Sequence, residues 1–292
     1  MKKVFYKLFR EDDGLNLVKL LVIAVILISS LYPFLYMISV SLSDSVLVMQ
    51  GKVNIIPKGI QLTAYRSVLQ NQDILRSYLN TIIYVTVGTF LSLFVTATGA
   101  YAISNPRLIW RKFFTLMIMF TMYFGGGMIP TYLVLKWCGL VGTMWSFLLL
   151  GAVSTYNLIV MRSFFDGLPH ELQESAFIDG ANDIHVFFAI IVPCSKAVIS
   201  TMVLFYAVGI WNSFLWPYLL LSDENKYPLQ IVLRQIVLAG DSSASEGSVD
   251  GGLVSDTIKY ATIIVSMVPI LCVYPFVQKY FVKGVMVGSV KG

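Results

Sequence analysis

Six long apolar stretches alternate with polar segments along the chain. Each reaches the length of about 20 residues that a helix needs to cross the ~30 Å hydrocarbon core of a bilayer. They run over Leu17–Val40, Tyr78–Ser104, Phe113–Leu135, Leu140–Met161, Val186–Tyr218 and Tyr260–Val282. The fifth is too long for one straight span and contains Pro193 and Pro217, which predicts a kink or an interfacial portion. The pattern predicts an all-α, polytopic membrane protein with six transmembrane helices.

The composition supports a membrane protein. The 292 residues are 57% hydrophobic and 13% charged, with a mean hydropathy of +0.76, whereas about a quarter of the residues of a soluble domain are charged. The basic residues before Leu17 look like the start of a secretory signal, but acidic residues intervene and no clear cleavage site follows. We therefore predict an uncleaved first span. Residues 1–77 would hold an N-terminal cytoplasmic segment, this span and an external loop, and residues 78–292 a core of five helices.

The loop charges predict the orientation. With the N-terminus inside, thirteen of the 21 Lys and Arg residues fall on the cytoplasmic side, which is the direction of the positive-inside rule. The short loop Asn105–Lys112 is the clearest case, because it holds three basic residues and no acid. Both termini and Arg162–His185 are predicted to be cytoplasmic. Ser41–Ser77 and Asp241–Thr257 are predicted to be external, the latter as a flexible stretch because it is rich in Ser, Gly and Asp.

The apolar stretches lack several kinds of chemistry. Their central parts contain no Asp, Glu, Lys or Arg, whereas proton- and sodium-coupled transporters keep such costly groups as relays or ion ligands. The chain has no GxxxxGK[ST] loop to hold nucleotide phosphates, and the cluster Gly125–Gly127 predicts a helix break or a close helix contact instead. The isolated Cys138, Cys194 and Cys272 indicate neither a metal site nor a redox pair. Energy for transport would have to come from a partner.

The segment Leu168–Pro193 has the pattern of a helix, a glycine turn and a second helix. Pro169 suits the first turn of a helix, and two glutamates lie near the positive end of the helix dipole. Gly180 is expected to end this helix in the left-handed conformation, and Asn182 or Asp183 can cap the helix that follows. We predict that this small-faced helix lies against the membrane on the cytoplasmic side.

Fixed offsets within this segment resemble the EAA loop of binding-protein-dependent ABC importers, E-A-A-x3-G-x9-I-x-L-P. The matching positions are Glu174, Ala176, Gly180, Ile190 and Pro193, with Ser175 in place of the first alanine and Val192 in place of the leucine. The chain is similar to the carbohydrate-type, maltose-permease-like branch, close to the group that imports oligosaccharides and polysaccharide fragments. Further segments that carry this resemblance, which covers most of the chain, are Phe124–Lys136, Trp211–Gln230 and Tyr280–Gly292.

The resemblance implies a type I ABC importer permease fold and roles for the matching positions. The EAA coupling loop, residues 166–193, would form a coupling helix that docks in a cleft of the ATPase subunit, where Glu174 approaches a basic residue. Gly180 would supply the turn that presents this helix, and the tail, residues 278–292, would also reach the ATPase dimer. The implied ATPase-coupling residues are Glu174, Ser175, Ala176, Asp179, Gly180 and Pro193.

The resemblance also implies partners. These are a second, related permease that completes a heterodimer, an ATPase dimer that binds ATP and Mg²⁺, an extracytoplasmic solute-binding protein, and a sugar or oligosaccharide. The chain itself would be a non-catalytic subunit of the bacterial cytoplasmic membrane, with no cofactor or metal of its own. Nucleic acid is not expected as a partner.

Candidates for the substrate path come from the chemistry of sugar binding, which uses aromatic stacking and hydrogen bonds from amides and hydroxyls. They are Tyr123, Tyr156, Asn157, Trp211 and Asn212. Asn157 is the best of them, because a buried amide within a span needs a polar partner. Aromatic residues near a membrane boundary also act as interfacial anchors, so that role stays open for the others.

Small residues recur every four positions in the second span, at Gly88, Ser92, Thr96, Ala100 and Ser104. This spacing lets two helices approach closely. The stripe therefore packs against another helix of the same chain or against a partner permease.

Two other functions remain to be compared with sugar import. The first is the same architecture with a different solute, such as an amino acid, a polyamine or a phosphonate. The second is a channel or membrane sensor without ATP coupling, which the EAA spacing disfavours.

Overall fold

The computed structural model of the chain describes residues 13–245, 256–272 and 274–275. Over these ranges the chain forms helices joined by turns and loops, and no β-strand. The helices are α1 (Asp13–Ser41), α2 (Ser45–Met49), α3 (Thr63–Gln70), α4 (Gln72–Ser104), α5 (Arg111–Tyr123), α6 (Met128–Trp137), α7 (Trp145–Leu150), α8 (Thr155–Asp166), α9 (Glu171–Ile178), α10 (Asp183–Cys194), α11 (Lys196–Trp211), α12 (Leu215–Leu220), α13 (Leu229–Ser245) and α14 (residues 256–272). A π-helical turn, Phe187–Ile191, lies within α10.

The described residues fall into two compact units. The first holds the chain up to Asn71 together with Gln235–Met267, and the second holds Gln72–Arg234 and the described residues from Val268 onward. In the first unit α1 is long and apolar enough to cross a membrane, and no residue of its most apolar 18-residue window is buried. The predicted first span is therefore present as one helix, with apolar side chains available to lipid.

The loop after α1 is held by local hydrogen bonds. The side chain of Asp44 caps α2 by accepting from the backbone N–H of Val46 at 2.8 Å, and it also accepts from Gln61 Nε2 at 2.7 Å. The hydroxyl groups of Ser41 and Tyr65 lie 2.8 Å apart. Much of the predicted external loop is thus built around the end of α1.

The small-residue stripe of the second unit packs inside the chain. All five of its members are buried on α4. A Cβ atom added at Gly88 would come within 2.7 Å of the Ile210 side chain on α11, and the Thr96 hydroxyl lies 2.6 Å from the hydroxyl of Tyr206 on the same helix. Of the two predicted alternatives, packing against another helix of the same chain is therefore confirmed for this stripe.

The N-terminal half of α4 holds a short turn that follows α12. Asn80 Nδ2 donates to the backbone oxygen of Asn225 at 2.7 Å, and the Tyr84 hydroxyl donates to the backbone oxygen of Lys226 at 2.8 Å. The turn contains one 3₁₀ segment, Glu224–Lys226. One long helix thus fixes a loop at one of its ends.

Two of the predicted spans are sharply bent. Helices α5 and α6 meet at 116°, and the chain between them contains Gly127 at φ +83°, so the predicted helix break at the glycine cluster is confirmed. Helices α10 and α11 meet at 85° next to Pro193, which confirms the expected kink in the fifth stretch. Pro217 lies in the separate helix α12.

The fourth apolar stretch is not one helix, contrary to the expectation of a continuous span. Helix α7 ends at Leu150, and α8 begins at Thr155 after Ser154. The Ser154 side chain accepts from the backbone N–H of Asn157 at 3.4 Å and so starts a new helix there. A hydropathy average does not register such a cap, because one serine barely changes the mean.

The number of spans is not fixed by these helices. By length and composition, two of the described helices can cross a membrane, or up to four if each bent pair is one span. The sixth predicted stretch is helical over residues 260–272, and its end lies outside the described residues. The count of six stays a prediction.

The stretch Asp241–Thr257 differs from its prediction where it is described. Asp241–Ser245 continue α13 and Asp256–Thr257 begin α14, so these parts are helical rather than flexible. Residues 246–255 and the tail Gln278–Gly292 lie outside the described residues.

Candidate functional site

Helix α9 ends in a left-handed glycine turn, as the sequence predicts. Gly180 adopts φ +84°, its N–H donates to Phe177 O at 3.1 Å, and the N–H of Ala181 donates to Ala176 O at 2.9 Å. This pair of hydrogen bonds is a Schellman motif, which satisfies carbonyl groups at the end of a helix. No atom lies within 4 Å of a Cβ added at Gly180. The backbone conformation, and not crowding, is therefore what requires glycine here.

The second helix starts directly after this turn. Asn182 caps α10, because its side-chain oxygen accepts from the backbone N–H of His185 at 2.8 Å. Of the two predicted capping residues, Asn182 takes this role, and Asp183 is the first residue of the helix. The predicted arrangement of helix, glycine turn and helix is confirmed.

The inward face of α9 is anchored to a buried cluster of the second unit, here called the anchor cluster. Ala176, Phe177 and Ala181 pack against this cluster. Its members come from α4, α8, α10 and α11, and they are Ala97, Ala100, Tyr101, Met161, Phe165, Val186, Phe187, Ile191, Val198, Met202 and Tyr206. Any displacement of α9 therefore acts on four helices at once, because close-packed interiors transmit strain.

The outward face of α9 mixes acidic, small and apolar side chains. Ile178 is 85% exposed, and Leu172 is also exposed. Among the predicted coupling residues, Ala176 is half-buried, and the other five are exposed: Glu174, Ser175, Asp179, Gly180 and Pro193. A large exposed isoleucine beside carboxylates is a surface that can bind an apolar pocket with a basic rim.

An ion cluster lies where α8 leads into this segment. Asp166 accepts from Arg111 Nη2 at 2.7 Å and lies 3.4 Å from Arg162 Nε. Arg111 Nε also donates to the backbone oxygen of Ile103 at 2.8 Å, and Arg162 Nη1 donates to Thr115 Oγ1 at 3.0 Å. The cluster ties together the adjoining ends of α4, α5 and α8. It was not predicted from the sequence, although Arg162 and Asp166 have the spacing of a helical ion pair.

A second unpredicted contact reaches α9 itself. The guanidinium carbon of Arg107, in the loop between α4 and α5, lies 4.6 Å from the centroid of the Phe177 ring. This distance is within the range of a cation–π interaction. No signal in the sequence links these two residues, which are 70 positions apart.

The substrate-path candidates lie in different surroundings. Tyr123 and Tyr156 are exposed. Their helices α5 and α8 are in contact, with the hydroxyls of Thr121 and Thr155 3.3 Å apart. Asn157 is buried in α8.

The remaining two candidates lie at the end of α11. Trp211 is buried, and its ring meets that of Tyr78 edge-on at 6.1 Å between centroids. Asn212 is exposed, and its side chain donates to the backbone oxygen of Val208 at 3.0 Å. Among the described residues, no hydrogen bond or ring contact joins any two of the five candidates to each other. Their shared role stays a prediction.

Residues 72–287 match the family model described as binding-protein-dependent transport system inner membrane component. The chain belongs to this family. It is therefore a multi-pass protein of the inner membrane and the non-catalytic permease component of a transporter.

Relatives in this family align along most of the chain. Protein LplC of Bacillus subtilis (strain 168) is 44% identical over 265 residues, which cover 90% of each protein. The polygalacturonan/rhamnogalacturonan transport system permease protein YtcP of the same organism is 41% identical over 263 residues, 89% of this chain and 92% of that protein.

A solved structure supports the fold. It is described as a bacterial ABC transporter involved in the import of the acidic polysaccharide alginate. The matched chain has a TM-score of 0.86 and 34% identity, over 93% of this chain and 98% of that one. The predicted ABC importer permease fold is confirmed.

Proposed function

We propose that the chain is the permease subunit of an ATP-driven importer that carries oligosaccharides across the cytoplasmic membrane. The observation that carries the proposal is α9, a helix closed at its C-terminal end by a glycine turn, with an exposed outer face and an inner face anchored to four helices. The name of the relative YtcP and the description of the solved structure both specify polysaccharides, and they support a carbohydrate substrate.

The outer face of α9 is the proposed docking surface for an ATPase subunit. Ile178 would enter an apolar pocket, where burying an isoleucine side chain stabilises a complex by roughly 1.5–3 kcal/mol. Glu174 would pair with a basic residue at the rim, and Ser175 and Asp179 would lie beside them. ATP and Mg²⁺ would be bound by the ATPase and not by this chain.

The anchor cluster is the proposed route by which ATPase motion reaches the membrane. A docked α9 moves as a unit because its glycine turn is closed by two hydrogen bonds. Its inward residues Ala176 and Phe177 then press on side chains of α4, α8, α10 and α11. In this role Gly180 sets the direction of α9, and Pro193 lies close to the bend between α10 and α11.

The proposed orientation follows from the loop charges. Both termini and the α8–α10 segment would be cytoplasmic, and the loop after α1 and the segment Asp241–Thr257 would face outward. A second, related permease, a dimeric ATPase and an extracytoplasmic binding protein would complete the transporter. Asn157 and Trp211, one from each group of substrate-path candidates, would contact the sugar. They would do so in a conformation that opens a path between the two permeases.

The test is transport by the purified complex in proteoliposomes, with the native ATPase and the binding protein present. We expect ATP-dependent uptake of pectin-derived oligogalacturonides or arabino-oligosaccharides, together with stimulated ATP hydrolysis. Amino acids and polyamines serve as comparison solutes. Uptake of an amino acid or a polyamine, with no uptake of any oligosaccharide, would refute the carbohydrate substrate class. Passage of solute in the absence of ATP would refute ATP-driven import.

A further inference from the structure

Phe177 is held from two sides. Its side chain packs against the anchor cluster, and the guanidinium group of Arg107 lies over its ring at 4.6 Å. The ring belongs to α9, whereas Arg107 belongs to the loop that leaves α4. The contact therefore joins the proposed docking helix to the end of the longest helix of the second unit.

The backbone around Arg107 is fixed to α4. Its N–H donates to the side chain of Asn105 at 2.9 Å, and the N–H of Asn105 donates to the backbone oxygen of Tyr101 at 3.2 Å. Tyr101 is itself part of the anchor cluster, with its ring 5.2 Å from that of Phe187. The guanidinium group is thus carried on a short, hydrogen-bonded extension of α4.

The three basic residues of the predicted loop Asn105–Lys112, of which Arg111 and Lys112 form the start of α5, differ in what their side chains contact. Arg111 is paired with Asp166. Lys112 is exposed, and among the described residues it has no hydrogen bond or ion pair. Arg107 lies over an aromatic ring. A general preference for positive charge on the cytoplasmic side accounts for all three charges, but it does not account for a guanidinium group placed over one particular aromatic ring.

We propose that Arg107 is a positioning residue. Its cation–π contact with the Phe177 ring, here called the clasp, makes α9 move together with α4. The proposal rests on the proposed function of α9 as the docking helix. Loss of this contact is expected to leave the docking face intact, because Glu174 and Ile178 are exposed and take no part in it. It weakens the link through which α9 moves α4, so ATP is hydrolysed with less transport.

The measured quantity is the ratio of oligosaccharide taken up to ATP hydrolysed, in proteoliposomes that contain the full complex. Arg107→Met and Phe177→Leu remove the cation and the ring face while keeping similar volume. Each is expected to lower the ratio about two- to fivefold, the range that corresponds to one exposed cation–π contact. Arg107→Lys should fall between wild type and Arg107→Met, because the ammonium keeps the charge without the planar stacking.

Two controls separate the clasp from general effects. Lys112→Gln removes a positive charge from the first turn of α5, five positions after Arg107, and should leave the ratio unchanged. The double variant R107M/F177L should be no worse than the more affected single variant, because both changes remove one interaction. If R107M does not assemble with the ATPase, R107K and F177L carry the test.

The outcomes distinguish this proposal from the proposed function. Gly180→Val is measured in parallel as a change within the docking segment itself. If Gly180→Val lowers the ratio while Arg107→Met and Phe177→Leu do not, the clasp is refuted and the docking role of α9 stands. If Gly180→Val also leaves the ratio unchanged, the docking role fails. Additive losses in R107M/F177L would likewise overturn the clasp.

Discussion

Replacement of Gly180 by valine tests the turn that presents α9. Gly180 adopts φ +84° with free space around a would-be Cβ, so the whole penalty comes from the backbone. A left-handed conformation costs an L-residue about 1–2 kcal/mol, and a β-branched residue lies at the upper end of this range. If the turn opens instead, it loses two hydrogen bonds, which contribute about 0.5–1.5 kcal/mol each. Both routes cost about 2 kcal/mol, so the productive orientation of α9 becomes about thirtyfold less populated relative to its alternatives, since about 1.4 kcal/mol corresponds to a factor of ten.

The assay is sugar-stimulated ATP hydrolysis measured together with uptake in reconstituted complexes. Gly180→Val should insert and pair with its partner permease but transport poorly. Gly180→Asn is the matched control, because asparagine tolerates the left-handed region. Gly167→Ala is a second control, at a glycine of the same segment with φ −85°. Normal stimulated hydrolysis and uptake in the valine variant, or equal defects in the valine and asparagine variants, would refute the reasoning.

Four further predictions test other parts of the proposed function. Glu174→Ala should uncouple uptake from hydrolysis without changing sugar capture by the binding protein, and Glu174→Gln should retain part of the coupling; unchanged uptake in both variants would contradict the docking role. In a chain without native cysteines, a cysteine at position 173 should resist an impermeant reagent in intact cells, and labelling there would refute the orientation. Asp166→Asn should destabilise the purified complex by about 1 kcal/mol, because the ion pairs are partly exposed; an unshifted melting curve would show that the cluster is dispensable. Truncation after Phe281 should reduce ATPase association and leave sugar preference unchanged, and a shift in preference with normal assembly would contradict it.

Local chemistry made the segment around α9 predictable from the sequence. Gly180 and Asn182 determine their own backbone geometry through a left-handed turn and a cap, which involve residues a few positions away. The bend near Pro193 is predictable for the same reason. Where the signal lies in neighbouring residues, the sequence is enough.

Contacts between distant residues could not be predicted in this way. Arg111 and Asp166 are 55 positions apart, and nothing in either neighbourhood specifies the other. The small-residue stripe on α4 indicated close packing but not which helix it packs against. That helix is determined by the tertiary arrangement of several apolar helices. The substrate path is harder still, because aromatic residues such as Tyr123 fit both a sugar site and a membrane boundary.

The length of α4 has a geometric consequence for alternating access. Its 33 residues extend over about 50 Å at 1.5 Å per residue, with the turn at Asn225 bound near one end and the Arg107 loop at the other. A rotation of ~5° about the middle of such a rod displaces its two ends by about 2 Å in opposite directions. The donors to the turn, Asn80 and Tyr84, lie about 12 Å and about 6 Å from the middle of α4 and would move by about 1 Å and about 0.5 Å. A shift of about 1 Å is enough to stretch the 2.7 Å hydrogen bond of Asn80 beyond the usual range, so the turn must travel with the helix. Helix α4, rotating as one rigid body, would then narrow the opening on one side of the permease while it widens the opening on the other side. No separate coupling between the two openings would be needed.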